Sequence, residues 1–209
     1  YPYNPTENFL KELQQQPPTA PDRKHILGTD GHGRDVFSRL IYGFQISISF
    51  ALIVTTLSYS LGILIGAILG FFGGKIDIYG QRFIEIFMAI PFLFLMMILV
   101  SFTQPSFIIL ASMLVILSGW IGITFYIRSE FYREKAKDYV AAAVSMGASN
   151  RRIMFKHILP NSLTPIITFA PFAIIGYISS LVSLDFLGFG LAPPTPSWGE
   201  LIRQGSMDI

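Results

Sequence analysis

Three stretches without a single charged side chain constrain this sequence more than anything else in it: Phe44 to Gly74, Ile86 to Ile127 and Ile158 to Leu184. A helix rises about 1.5 Å per residue and the hydrocarbon core of a bilayer is about 30 Å thick, so roughly 20 apolar residues cross it once. The first and third stretches each fit one crossing with length to spare. The middle one is twice as long as a crossing needs, and Gln104-Pro105 is the natural place for a tight turn inside it. The expectation is an all-α polytopic membrane protein with four spans, roughly 45–72, 84–103, 106–127 and 163–183. Buried helices of a large soluble protein do not need such lengths. Composition agrees: 52% of residues are hydrophobic and only 13% charged, about half the charge of an ordinary soluble domain.

Four spans fix two alternating sides. Nine of the Lys and Arg fall on one side: Lys75, Arg82, Arg128, Arg133, Lys135, Lys137, Arg151, Arg152 and Lys156. Six fall on the other, and Lys11 and Arg23 lie too far from a span end to count for much. The richer side is therefore expected in the cytoplasm. Residues 1–43 and the tail after Asp185 are expected outside, which makes 1–43 an extracytoplasmic lead-in and 44–209 the membrane domain. The chain starts on Tyr1 and shows no signal-peptide pattern, and a chain beginning outside needs an earlier crossing. The expectation is an internal piece of a longer protein, incomplete at the C-terminus of its membrane domain.

Several kinds of chemistry are excluded or unsupported. No cysteine is present, so disulfides, thiolate catalysis and cysteine metal sites are out. His25, His32 and His157 fall in loops, without partners at metal-ligand spacing. Ion-coupled carriers generally carry an ionisable group inside the bilayer, and here Glu85 and Asp185 sit only at span edges. The Gly-Lys pair of "FFGGKI" does not make a phosphate loop, because Leu69 and Ile76 occupy the positions that need Gly and Ser/Thr. "GTDGHGRD" lacks the dinucleotide spacing. Met96, Met97 and Met113 read as packing rather than as a metal path. Neither catalytic, cofactor nor metal residues are expected, and any energy for work must arrive through another polypeptide.

Gly62, Gly66 and Gly70 recur every four residues, one face of a helix, where small residues let helix backbones approach closely in lipid. Pro91, Pro165 and Pro171 lie in or at the start of spans and favour kinks.

The remaining signal is the basic stretch "DYVAAAVSMGASNRRIMFKHILPN", residues 138–161, between the third and fourth spans. Asp138 can cap a helix start, and Ala141, Ala142 and Ala143 favour helix with almost no side-chain bulk. Gly147 is placed to end that helix in a left-handed conformation. Ser149 or Asn150 can cap a second helix carrying Arg151, which Pro160 is expected to close before the next span. A flat alanine surface suits burial in a partner's cleft. An interfacial amphipathic helix with its arginines on lipid headgroups fits the same residues equally well.

This stretch resembles the cytoplasmic-loop motif of ABC importer permeases, Glu-Ala-Ala, three residues, Gly, nine residues, then Ile-x-Leu-Pro. Ala142, Ala143, Gly147, Leu159 and Pro160 match it. "HILGTDGHGRDVFSRLIYG" and "SLDFLGFGLAPPTPSWGEL" resemble the peptide and nickel branch, in particular the C-type partner of its two permeases. "SLDFLGFG" with "GQRFIEI" is most similar to the oligopeptide branch that includes microcin C importers. The resemblance extends over nearly everything from Ile26 onward.

It implies a type I ABC importer transmembrane domain, normally of six spans, with the first and last missing from this piece. It implies a prokaryotic inner-membrane permease subunit that moves oligopeptides or related solutes. Its partners would be a second, B-type permease, two ATPase subunits that bind the ATP, and an extracytoplasmic solute-binding protein, all set in the lipid bilayer with no nucleic acid. Segment 138–161 would be the coupling helix. A dipeptide or nickel permease of the same branch is the alternative, as is a non-transporting membrane scaffold that kept a docking helix. One departure stands out: Ala141 occupies the motif's glutamate position; Asp138 and Glu134 lie three and seven residues earlier, and Asp138 is the candidate partial substitute on the same helix face.

Overall fold

The computed structural model describes residues 3–10, 16–103 and 105–207. Gln104 of the expected Gln104-Pro105 turn lies outside them. Among the described residues every regular element is helical: α1 (Val36–Phe72), α2 (Gly74–Met88), α3 (Phe92–Ser101), α4 (Phe107–Leu114), α5 (Ile121–Lys135), α6 (Asp138–Ser145), α7 (Asn150–Arg152), α8 (Leu159–Ser162), α9 (Thr164–Phe186) and α10 (Trp198–Met207). Wide π-helical turns at Val115–Gly119 and Ile153–Ile158 join α4 to α5 and α7 to α8.

Helices α1 and α9 are each long and apolar enough to cross a membrane alone. The pairs α2/α3 and α4/α5 reach that length only together, bent by 67° and 42°. Four crossings therefore remain the count when each bent pair is one span, but two differ in shape from the straight helices that hydropathy suggests. The stretch 84–103 comprises the last third of α2 and all of α3, broken at Ile90-Pro91, where proline disfavours helix in the residue before it. The stretch 106–127 is interrupted by the π-helical turn before Trp120. Helix α1 begins at Val36 rather than near 45, because Asp35 caps it: its Oδ2 accepts the Ser38 N–H at 2.7 Å. Pro171 lies inside α9.

The chain forms two compact units. The first comprises Tyr1–Leu52, Met97–Leu110 and Gly176–Ile209. Within it, the lead-in folds around Asp30, whose Oδ1 accepts the backbone N–H groups of His32 and Arg34, both at 2.9 Å. Arg34 donates Nε to Asp30 (2.8 Å) and Nη2 to Glu200 of α10 (3.2 Å). Arg39, with no exposed surface, also donates to Glu200 and to the carbonyl of Pro5. His25 Nδ1 lies 2.9 Å from Asp35 Oδ1. Buried charges of this kind hold only when paired, and the start of α1 and α10 are tied together through Glu200, although Arg39 Nε itself lacks a hydrogen-bond acceptor.

The second unit comprises Ile53–Met96 and Ala111–Ile175. Gly62, Gly66 and Gly70 of α1 lie against α5. A Cβ added at each would stand 2.7 Å from the Trp120 carbonyl oxygen, 2.6 Å from that of Thr124 and 2.8 Å from that of Arg128. A four-residue step on one helix thus meets a four-residue step on the other, backbone to backbone. The ladder continues into an apolar core of Ala67, Phe71, Ile127, Phe131, Val140 and Ile153. Gly73, at φ +63, is the only residue between α1 and α2, so one helix follows the other without a loop. At the start of α2, Asp77 receives two hydrogen bonds from Arg128 (2.5 and 2.6 Å) and one from the Tyr132 hydroxyl (2.9 Å).

Candidate functional site

The segment 138–161 lies wholly in the second unit. Helix α6 ends as a complete Schellman motif: Gly147, at φ +76, donates to the Val144 carbonyl (2.9 Å), and Ala148 donates to that of Ala143 (3.0 Å). Only glycine takes that backbone conformation without a Cβ penalty. Ser149 follows as the N-cap of α7, its hydroxyl oxygen accepting the Arg152 N–H. Two helical legs meeting at a glycine corner are the shape that the sequence suggests.

Three details differ. Asp138 is not the cap of α6. The N-cap is Lys137, with no side-chain hydrogen bond, and Asp138 sits in the first turn, where its charge opposes the helix dipole instead. The three alanines do not share one surface. Ala143 is buried with Val140 in the core, whereas Ala141 and Ala142 are exposed with Val144 and Met146, the last at 80%. A period of 3.6 residues cannot place three successive side chains on one face. Finally, Pro160 does not close the second leg. It opens α8, and the helical path runs on to Ser162 before α9 begins at Thr164. A proline is tolerated in a first turn, where its missing N–H would be unsatisfied anyway. The carbonyls of His157 and Ile158 are taken by the side chains of Asn161 (2.8 Å) and Ser162 (3.0 Å).

The brace of this corner is not the one that the sequence suggests. Asp138, the candidate substitute for the missing motif glutamate, is exposed and makes no ion pair among the described residues. Glu134 is the buried one, 1% exposed, and accepts from Lys137 Nζ (2.7 Å) and from the Tyr139 hydroxyl (2.8 Å). Tyr139 in turn accepts from Asn161 Nδ2 at 3.3 Å. Burial, and then the bond to Glu134, holds the Tyr139 phenol above its usual pKa, so it stays a proton donor. The end of α5, the start of α6 and α8 are thereby bonded into one piece. Lys135 adds a further tie, donating to the Phe71 carbonyl at the end of α1 (2.5 Å). A groove of about 600 Å³ runs beside α6, lined by Phe71, Phe72, Val140, Ala141, Val144 and Ile153 among others.

The arrangement offers no reacting constellation. It offers an exposed surface of mostly small side chains, Ala141, Ala142 and Ser145 with Val144 and Met146 at its flanks, presented beside a glycine corner. Such a face can bury in another protein's cleft with little loss of side-chain entropy.

A family model described as "Binding-protein-dependent transport system inner membrane component" matches residues 62–207, including all of segment 138–161. The chain belongs to this family. As a transport component it is 44% identical over 192 residues to the inner membrane ABC transporter permease protein YejE of Escherichia coli K12, which covers 92% of this chain and 56% of that protein. It is 45% identical over 183 residues to the peptidoglycan transport system permease protein YejE of Agrobacterium fabrum, covering 88% and 48%. With the dipeptide transport system permease protein DppC of Haemophilus influenzae it shares 37% over 207 residues, covering 97% and 69%. The chain thus spans about half the length of the first two relatives.

Proposed function

We propose that this chain is part of the permease subunit of an ATP-driven importer that moves oligopeptides or related peptide-like solutes across the prokaryotic inner membrane. The observation that carries the reading is the braced corner. The exposed face of α6, ended at Gly147 and tied to α5 and α8 through Glu134, Tyr139 and Asn161, is a rigid lever in a chain of a binding-protein-dependent transport family. A soft loop would absorb a push, whereas a bonded corner passes it to the helices it joins. Asp138, Ala141, Ala142, Ala143, Gly147, Arg151 and Pro160 are assigned to this coupling element, with Ala141 and Ala142 on the contact face and Ala143 in the core behind it.

In this reading two ATPase subunits bind and hydrolyse ATP, and the chain itself carries no catalytic residue. Closure of the ATPases moves α6, and α5 and α9 tilt with it between inward- and outward-facing arrangements. A second, B-type permease lines the other half of the path, and an extracytoplasmic solute-binding protein delivers the cargo. Segment 138–161 faces the cytoplasm, as the excess of Lys and Arg on its side supports. The lead-in 1–43 and α10 face outward, and 44–209 belongs to the membrane domain. The names of the relatives, peptidoglycan and dipeptide transport among them, support a peptide-like cargo.

The test is purification of the full-length tagged chain from its native membrane in mild detergent, followed by reconstitution into vesicles. Co-recovery of an ATPase and a second permease, with ATP-dependent peptide uptake that Ala142→Trp abolishes, is the expected result. Uptake without ATP or without an ATPase partner overturns the reading.

A further inference from the structure

The second leg of the corner carries a surface that docking of α6 does not use. Ile153, Met154 and Ile158 are buried, and the opposite face presents Arg151, Arg152, Phe155, Lys156 and Pro160 around a groove of about 520 Å³ with Ser149 at its end. No acidic residue lines this groove, and among the described residues none of the three cations is held in an ion pair. Phe155 stands 45% exposed between them. Three unpaired positive charges beside an exposed ring are a poor surface to leave in water, and a good one for an interface that is anionic at its rim and apolar beneath.

The depth of the leg says which interface. The crossing helix α9 begins at Thr164, and the basic leg joins it through α8 and the single residue Leu163. Lys156 is the last Lys or Arg before that crossing, close enough to its start to reach the headgroups. Arg152 and Arg151 lie about one turn further out, with stems long enough to reach back to the same level.

We infer that Arg151, Arg152, Lys156 and Phe155 form a binding site for an anionic phospholipid of the leaflet on the side of segment 138–161. The phosphate is held by the three cations, and Phe155 lies against the start of the acyl chains. The two sequence-based readings of this segment then apply to different legs: α6 meets a protein, and the leg from α7 to α8 meets lipid. The inference rests on the proposed sidedness for the leaflet it names, but not on the identity of the cargo or of the ATPase.

The test uses the full-length chain with the partners that co-purify with it, exchanged into nanodiscs of phosphatidylcholine containing a minority of phosphatidylglycerol. Intact-complex mass spectrometry then counts the phosphatidylglycerol retained through delipidation. The native protein is expected to retain it in preference to phosphatidylcholine. The variant Arg152→Gln/Lys156→Gln, which leaves the coupling residue Arg151 in place, should lose roughly ten- to thirtyfold of that preference, the scale that basic residues provide near an anionic surface, while its partners still co-purify. All substituted side chains are solvent-exposed, so folding is not at stake. Unchanged lipid retention in the variant overturns the site. So does loss of the ATPase partner with lipid retention intact, which would assign the patch to an acidic surface of that protein. Failure of the coupling proposal shows separately, as uptake that persists in Ala142→Trp with lipid retention unaltered.

Discussion

The Tyr139 hydroxyl donates a hydrogen bond to Glu134, 2.8 Å away across the join between α5 and α6, while position 141, where the motif has glutamate, holds alanine. The carboxylate lies seven residues upstream of that position, buried rather than presented, and it acts on the corner from behind.

Tyr139→Phe removes that donor and the acceptor for Asn161 while leaving Lys137 on Glu134. The net loss is about 1 kcal/mol, or roughly fivefold, and it should appear as a lower ratio of solute moved to ATP hydrolysed, with assembly intact. An unchanged ratio in reconstituted vesicles would remove Tyr139 from the coupling path.

Gly147→Val places a β-branched residue at φ +76. Left-handed backbone costs such a residue of the order of 1–2 kcal/mol, and the corner opens. ATP hydrolysis should continue without uptake, or the complex should fail to assemble. Gly147→Asn, which tolerates that conformation, should retain most of the uptake. Normal transport by the valine variant would sink the claim.

Gly66→Leu drives a side chain into the Thr124 carbonyl and Ile127, whereas Gly122→Ala enters open space. The first should lower the unfolding midpoint in detergent markedly, since overpacking costs about 1–3 kcal/mol or more. The second should leave the midpoint alone. Equal effects would mean that the contact between α1 and α5 is not close.

Arg128→Met leaves the nearly buried Asp77 with only Tyr132 and Gln81 as partners. Breaking one side of a buried pair is more damaging than replacing both. The double variant Asp77→Asn/Arg128→Met should therefore recover about 1–2 kcal/mol of the single variant's loss, measured as unfolding midpoints in the same detergent. Strict additivity would show the pair to be a surface contact in effect.

What could be read beforehand follows from the range of each signal. The glycine corner at 147 and the ladder at 62, 66 and 70 are local patterns whose physics needs no partner to be named. The total apolar length gives four crossings at most, two of them reached only when each bent pair is one span. Hydropathy does not register the break at Ile90-Pro91 or the π-helical turn before Trp120, because a bent span is as apolar as a straight one. Asp77 and Arg128 are 51 residues apart, and nothing near either announces the other. The different fates of Ala142 and Ala143 depend on which face the fold turns inward, and a run of three alike residues carries no phase.

Arg39 has a practical bearing on how such a chain is divided. Its guanidinium has no access to water, and its carboxylate partners are Glu200 and, at 3.7 Å, Asp30. A fragment ended before α10 keeps the four apolar stretches but takes the nearer carboxylate away from a cation inside the fold. Protein engineers trimming this sequence to its hydrophobic helices should expect degradation of the product in the cell rather than a smaller working membrane domain.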